Sequence, residues 1–218
     1  MWHPDWRAGV RRIIVDRANP DAAALADAVR AIRDGGVVAV PTDTLYGLAV
    51  DPFRADAVMR LFAVKGRSAG RALPLMAADA AQLSDRIGAL PRMATRLASR
   101  FWPGPLTLLI AAPSTLAPAV SGGTGKIGVR VPDHAVARAL CCACGSPLTA
   151  TSANVSGSAP SCDPDDVERT LGDRIDLLVD AGPTTGGPPS TIVDATGAQL
   201  RLVRAGAIPW HEIEECLR

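Results

Sequence analysis

Aromatic residues make up only 4% of this 218-residue chain, so a core has to be built from Val, Leu, Ile and Ala. Lysine is scarcer. Lys65 and Lys126 are the only two among 23 basic residues, and the others are arginines. Lys65 therefore draws attention, because arginine fills the merely electrostatic positions. Charge of one sign is not in surplus: 23 basic residues stand against 22 acidic ones, a formal net charge of +1. That excludes a histone-like polycation and leaves room for a local basic groove. No apolar run approaches the roughly 18 residues of a membrane span. The start, Met1-Trp2-His3-Pro4-Asp5-Trp6, lacks the apolar centre of a secretory signal. The expectation is a cytoplasmic protein without membrane contact.

Cysteine is present without a pattern. Cys141, Cys142, Cys144, Cys162 and Cys216 are odd in number and irregular in spacing, which argues against a disulfide framework. Cys141 and Cys144 form a CxxC, but only His134 and Cys162 stand near as a second ligand pair. Small apolar residues at a helix end are the better reading than a zinc site.

What is present alternates between two periods. At roughly 100–200 residues per domain, the length allows one domain or two small ones. After an N-terminal arm and first strand (1–18), Asn19 reads as a helix N-cap with Pro20 at the first helical position. Leu25, Val29 and Ile32 recur at helical spacing, and Gly35-Gly36 ends that helix. Val37–Val40 reads as a buried strand and Pro41–Gly47 as a polar loop. Further helices are expected over Ala55–Val64, Asp79–Ile87, Pro91–Arg100, Asp133–Leu140, from Asp163-Pro164 onward, and over Pro209–Leu217. Strands are expected over Leu73–Met76, Leu106–Ile110, Ile127–Val131, Leu148–Thr151, Ile175–Val179, Thr191–Val193 and Leu200–Val203. This interleaving argues for an α/β domain with a twisted, mixed sheet.

Nucleotide fingerprints fail. Gly123, Gly125 and Gly128 spell GxGxxG, but a loop precedes them and a strand-like run follows, the reverse of a dinucleotide site. Gly125-Lys126 lacks the first glycine and the hydroxyl of a P-loop, since Val120 and Ile127 stand there.

Polar chemistry collects in four loops. Thr42, Asp43, Thr44 and Tyr46, the only tyrosine, follow the first buried strand; they suit a small polar ligand or a side-chain-capped turn. Lys65, Arg67 and Arg71 form a cationic run with no acid between residues 57 and 78, suited to phosphate or carboxylate, or to a solvated face. Thr149–Asn154 places hydroxyls and an amide at a strand end, where open α/β sheets bind ligands and where Asx turns also occur. Gly186–Thr191, with Arg201 and Arg204, is a flexible loop able to close over a ligand, or a plain surface hairpin. His134 follows Arg130-Val131-Pro132-Asp133 and reads as cleft-lining or as a surface residue at a helix start. No nucleophile triad or carboxylate dyad is spaced for covalent chemistry.

These loops carry a resemblance. In order, PTDTLYGL at 41–48, KGR at 65–67, LPL at 73–75, FWPGPLT at 101–107, RVPDH at 130–134, TSANVSG at 151–157, STIVD at 190–194 and RAG at 204–206 resemble the YrdC/Sua5 family of L-threonylcarbamoyladenylate synthases. Each piece is weak alone; their joint order and spacing is specific. The resemblance implies an open twisted sheet with flanking helices around a concave ligand cleft, in a catalytic domain over 19–208 followed by a short helix at 209–218. It implies synthesis of L-threonylcarbamoyl-AMP and pyrophosphate from L-threonine, bicarbonate and ATP with Mg²⁺. A threonylcarbamoyl transferase complex would then use the product to form N6-threonylcarbamoyladenosine at tRNA position 37.

Carried over by motif, Lys65, Arg67, Ser152 and Asn154 are the expected catalytic set. Thr42, Thr44, Tyr46, Arg71 and His134 would hold threonine or its carbamate. Arg130, Thr151, Ser190, Thr191 and Arg204 would join Lys65, Arg67, Ser152 and Asn154 on the nucleotide. Ser68 and Ala72 replace prolines common in the family, which loosens the loop around Arg67 and Arg71. A paralogue with other carbamoyl or nucleotide chemistry, and a non-catalytic module contacting tRNA or other RNA, are the alternatives.

Overall fold

The computed structural model describes residues 10–217. In chain order the elements are β1 (Arg11–Ile14), α1 (Ala26–Arg33), β2 (Val38–Pro41), β3 (Tyr46–Ala49), α2 (Ala55–Lys65), β4 (Leu75–Met76), α3 (Ala80–Ile87), α4 (Arg92–Phe101) and β5 (Leu106–Ala111). A 3₁₀ turn (Pro118–Ser121), β6 (Lys126–Arg130), α5 (Ala135–Cys144), β7 (Leu148–Thr149) and β8 (Thr151–Ser152) follow. Last come α6 (Pro164–Leu171), β9 (Leu177–Asp180), β10 (Thr191–Asp194), β11 (Arg201–Arg204) and α7 (Trp210–Glu215).

Local chemistry accounts for many boundaries. Asp163 caps α6 through its carboxylate on the Asp165 N–H, with Pro164 at the first position as expected. Asp79 caps α3 the same way through Gln82 N. Gly66 and Gly145 end α2 and α5 in the left-handed region that glycine enters without strain.

Three expectations need correction. Asn19 does not cap the first helix, which starts only at Ala26. The Asp16 carboxylate instead accepts the Ala18 and Asn19 N–H groups, and Asp21 accepts from Ala23, so two Asx turns occupy the segment before the helix. The Pro41–Gly47 loop is shorter than expected, because Tyr46–Ala49 pairs antiparallel with β2 in the register Pro41↔Tyr46. The strands also form two mixed sheets rather than one: β1-β9-β2-β3-β8 and β11-β10-β5-β6-β4-β7. Residues 1–9 of the expected N-terminal arm, His3 included, lie outside the described residues.

Period-two alternation distributes the faces. On β2, Ala39 joins a large core together with Leu61 and Phe62 of α2 and Leu108 and Val129 of the second sheet. Val38 and Val40 turn to a second cluster with Ala28 and Ile32 of α1 and Ala137 and Leu140 of α5. On β5, Leu106, Leu108 and Ile110 face the core, while Thr107 and Leu109 face a cleft.

One short segment joins the sheets. Leu148–Thr149 pairs with β4 in the second sheet, and Thr151–Ser152, after Ala150, pairs with β3 in the first. Thr149 reinforces the crossing: its hydroxyl donates to Leu48 O at 3.2 Å and accepts from Val50 N at 2.9 Å. Among the described residues no helix is long and apolar enough to cross a membrane.

Candidate active site

Between the sheets opens a cleft of about 420 Å³. Its floor is the outer face of the second sheet, where Leu109, Gly128, Ile192 and Val203 leave an apolar surface. Gly128 keeps that floor level, since a Cβ there would stand 3.0 Å from Thr107 Cγ2 and 3.4 Å from Leu109 Cδ2. The walls are the β2–β3 turn, the segment after α2, the sheet crossing and the start of β10.

Nine of the expected site residues line this cleft: Thr42, Thr44, Tyr46, Arg67, Arg130, Thr151, Ser152, Ser190 and Arg204. Thr42 closes its turn by donating to Leu45 O at 2.7 Å, and its Oγ1 lies 3.2 Å from Thr44 Oγ1. Tyr46 lines the wall, but its hydroxyl donates to Gly182 O at 2.8 Å, and burial pushes its pKa up. The phenol therefore ties the β2–β3 turn to the loop after β9.

Arg67 is the least satisfied group. Its Nε and Nη2 are buried without a hydrogen-bond partner among the described residues. Its guanidinium lies 5.5 Å from the Phe62 ring centre, and burial, then Arg71, lower its pKa. A half-buried, forked cation with two enclosed nitrogens lacking acceptors is suited to an anion. Arg204 donates to Ser190 O at 2.7 Å and to Ser190 Oγ at 3.2 Å, and Ser190 Oγ lies 2.8 Å from Thr107 Oγ1. Arg130 donates from Nε to Gly104 O at 3.0 Å and forms an ion pair with Asp43.

Lys65 is placed differently from a surface cation at a helix end. It is buried, and Nζ donates to Ser152 O at 2.6 Å, Asn154 O at 3.0 Å and Asn154 Oδ1 at 3.2 Å. Burial, then the Arg67 charge, lower its pKa to about 8. Asn154 is a hub: Oδ1 also accepts from Ser152 Oγ at 2.6 Å, and Nδ2 donates to Ser158 O at 2.6 Å. Lys65 and Asn154 thus shape the loop carrying Ser152.

The remaining expected residues sit outside the lining. Thr191 is buried, with its hydroxyl donating to Ile208 O at 2.7 Å and accepting from Ile208 N at 2.9 Å. Arg71 is exposed, and its backbone packs against Gly122, where a Cβ would meet Ala72 N at 2.6 Å. With Leu73 N donating to Val120 O at 2.8 Å, this contact pins the loop where the two prolines are missing. His134 is buried at the start of α5, its Nδ1 lacks a partner among the described residues, and burial, then Arg17, lower its pKa to about 4. Thr107 was not singled out from sequence, although it is the one polar residue of the strand LTLLIA and falls on the alternate face.

In an α/β domain, a cation-lined cleft between two mixed sheets is suited to a small anionic ligand. The chain belongs to the Sua5/YciO/YrdC family, whose model, described as "Telomere recombination", matches residues 30–206. It is 37% identical over 202 residues to a threonylcarbamoyl-AMP synthase of Bacillus subtilis, covering 92% of this chain and 58% of that protein. It is 45% identical over 174 residues to a threonylcarbamoyl-AMP synthase of Halorhodospira halophila, covering 78% of this chain and 90% of that one. The crystal structure of P. abyssi Sua5 complexed with L-threonine superposes with a TM-score of 0.88 at 34% identity, over 94% of this chain and 60% of that one. The chain thus spans less than two thirds of the Bacillus and P. abyssi proteins.

Proposed function

We propose that this chain makes L-threonylcarbamoyl-AMP and pyrophosphate from L-threonine, bicarbonate and ATP. The observation that carries the reading is Arg67: a half-buried guanidinium whose Nε and Nη2 are enclosed without a partner among the described residues, in the same cleft as the adjoining hydroxyls of Thr42 and Thr44. One cleft thereby offers an anion receptor and a small polar pocket, the two recognition tasks of the reaction. The family relatives named as synthases support it.

The chemistry has two steps. The threonine amine forms an N–C bond to the carbon of bicarbonate, with loss of water, giving a carbamate. A carbamate oxygen then bonds to the α-phosphorus as the bond to the β-phosphate oxygen breaks, and pyrophosphate leaves. Both reactants are anions, and charge spreads onto the phosphoryl oxygens in the transition state. Arg67, Arg130 and Arg204 would neutralise it, with Lys65 holding the Ser152 loop and contributing field from behind it. Bringing a short-lived carbamate beside ATP is a proximity effect that the enclosed cleft supports. Among the described residues no cluster of three or more His, Cys, Asp or Glu is placed around a metal. Mg²⁺ would arrive with the triphosphate, as part of the substrate. Delivery of the product to a transferase complex acting on tRNA is the expected next step.

Pyrophosphate release by the purified chain, with each substrate omitted in turn, tests the reading. The expected result is release that requires ATP, bicarbonate and L-threonine together, with the mass of threonylcarbamoyl-AMP in the product. Release indifferent to threonine would overturn it.

A further inference from the structure

Asp43 stands between the two threonines of the β2–β3 turn, on the first sheet. Its carboxylate nevertheless belongs to the other side of the cleft, where it pairs with Arg130 at the end of β6. Both side chains are mostly enclosed, at 12% exposure each. Among the described residues it is the one carboxylate paired with a cleft-lining cation. Arg67 has no partner there for Nε or Nη2, and Arg204 bonds only to Ser190.

Arg130 is consequently held from two directions. Gly104 O, in the turn before β5, takes Nε, and Asp43 takes Nη2. An acceptor on Nε and a carboxylate paired with Nη2 hold two nitrogens of one planar guanidinium, which fixes its position and the direction of its plane and leaves Nη1 for a ligand. Asp43 is itself braced, because Thr185 Oγ1 donates to Asp43 O at 2.9 Å and Thr184 Oγ1 donates to Thr44 O at 3.0 Å. A lone acceptor at Nε would leave the plane free to turn.

We propose that Asp43 is a positioning residue for the nucleotide, acting through Arg130, although it lies in the turn whose neighbouring threonines face the amino-acid substrate. This deepens the synthase reading and rests on it. Two opposed effects follow from removing the carboxylate. Loss of a negative charge would draw the triphosphate in, and loss of orientation would weaken its grip. Orientation dominates here, because the pair is enclosed and the guanidinium keeps only one other fixed contact.

The test uses the full chain with Asp43→Asn, Asp43→Glu, Arg130→Lys and the double variant Asp43→Asn/Arg130→Lys. KM for ATP and for L-threonine are measured separately by pyrophosphate release, and ATP binding alone by calorimetry. Asp43→Asn is expected to raise the ATP KM and the ATP dissociation constant at least 10-fold and to move the threonine KM less than 3-fold. Asp43→Glu should recover part of the loss. The double variant should be no worse than Arg130→Lys alone, the signature of action through Arg130. Equal shifts for both substrates, tighter ATP binding, or additive losses in the double variant would overturn the proposal. Should Asp43→Asn not fold, Asp43→Glu and Arg130→Lys read the same selectivity. Failure of the wild-type chain to release pyrophosphate with threonine would refute the synthase reading instead, while the calorimetric arm would still decide the role of Asp43 in binding ATP.

Discussion

The Lys65 ammonium donates to the main-chain oxygen of Ser152 at 2.6 Å, so the last residue of α2 is built into the loop that leaves β8. Two more acceptors, both on Asn154, complete its three donors. A cation at a helix end thus also supports one wall of the cleft.

Replacement of Lys65 by Met should therefore cost both activity and stability. Ser152 O and Asn154 O would lose a charged donor inside the protein, at roughly 1–3 kcal/mol for each buried acceptor left bare. Turnover should fall about 100-fold, the cost of an ångström-scale misplacement of the wall that Lys65 supports. Pyrophosphate release and urea melts measure the two effects; turnover near that of wild type would remove Lys65 from the machinery.

The same group sets a pH dependence in which activity and stability move in opposite directions. With a folded pKa of about 8 against an ordinary 10.5, the unfolded chain binds more protons between those values. The contribution of Lys65 to stability is at its least favourable below pH 8 and rises across that window. Its charge, and one of the three donors that hold the Ser152 loop, are lost over the same window. Activity should thus decline above about pH 8 while the Lys65→Met variant shows no such rise in relative stability. Parallel pH series of turnover and melting would check it.

Arg67→Ala should separate binding from folding. The Nε and Nη2 groups make no hydrogen bond among the described residues, so little internal support is removed beyond the contact with Phe62. Stability should change by about 1 kcal/mol or less, the size of a cation–π contact. The ATP dissociation constant should rise about 10–100-fold, the loss of one to two charge-assisted hydrogen bonds. Calorimetric titration with ATP measures it, and an unchanged affinity would remove Arg67 from the nucleotide site.

Thr149→Val probes the joint between the sheets. Valine keeps the shape but leaves Val50 N without its 2.9 Å acceptor. The expected loss is about 1–3 kcal/mol in denaturant unfolding. Affinity for ATP should suffer far less, because Thr149 does not line the cleft.

Much of the order along the chain was legible. Helix α6 could be read from Asp163 and Pro164 because a cap and a fixed φ act within one turn of the chain. Strand β5 could be read from its apolar run, although Thr107, which marks its cleft face, was passed over. The first helix was misplaced because the carboxylates of Asp16 and Asp21 satisfy nearby N–H groups, and such competing turns look like a cap in sequence. Strand β3 was missed because Tyr46 and Gly47 owe their strand geometry to pairing with Pro41 and Val40.

By itself, the sequence determined the motifs and their order: the threonine turn, the cationic run after α2, the Ser152–Asn154 loop and the late arginine. These are local, since each depends on residue types a few positions apart. Tertiary structure alone decided that Leu148–Ser152 changes sheets at Ala150, that Lys65 is buried against carbonyls 87 and 89 residues away, and that Asp43 reaches across to Arg130. Those relations depend on strand pairing between distant segments and on which side chains burial forces into partnership, and neither leaves a periodic trace in the chain.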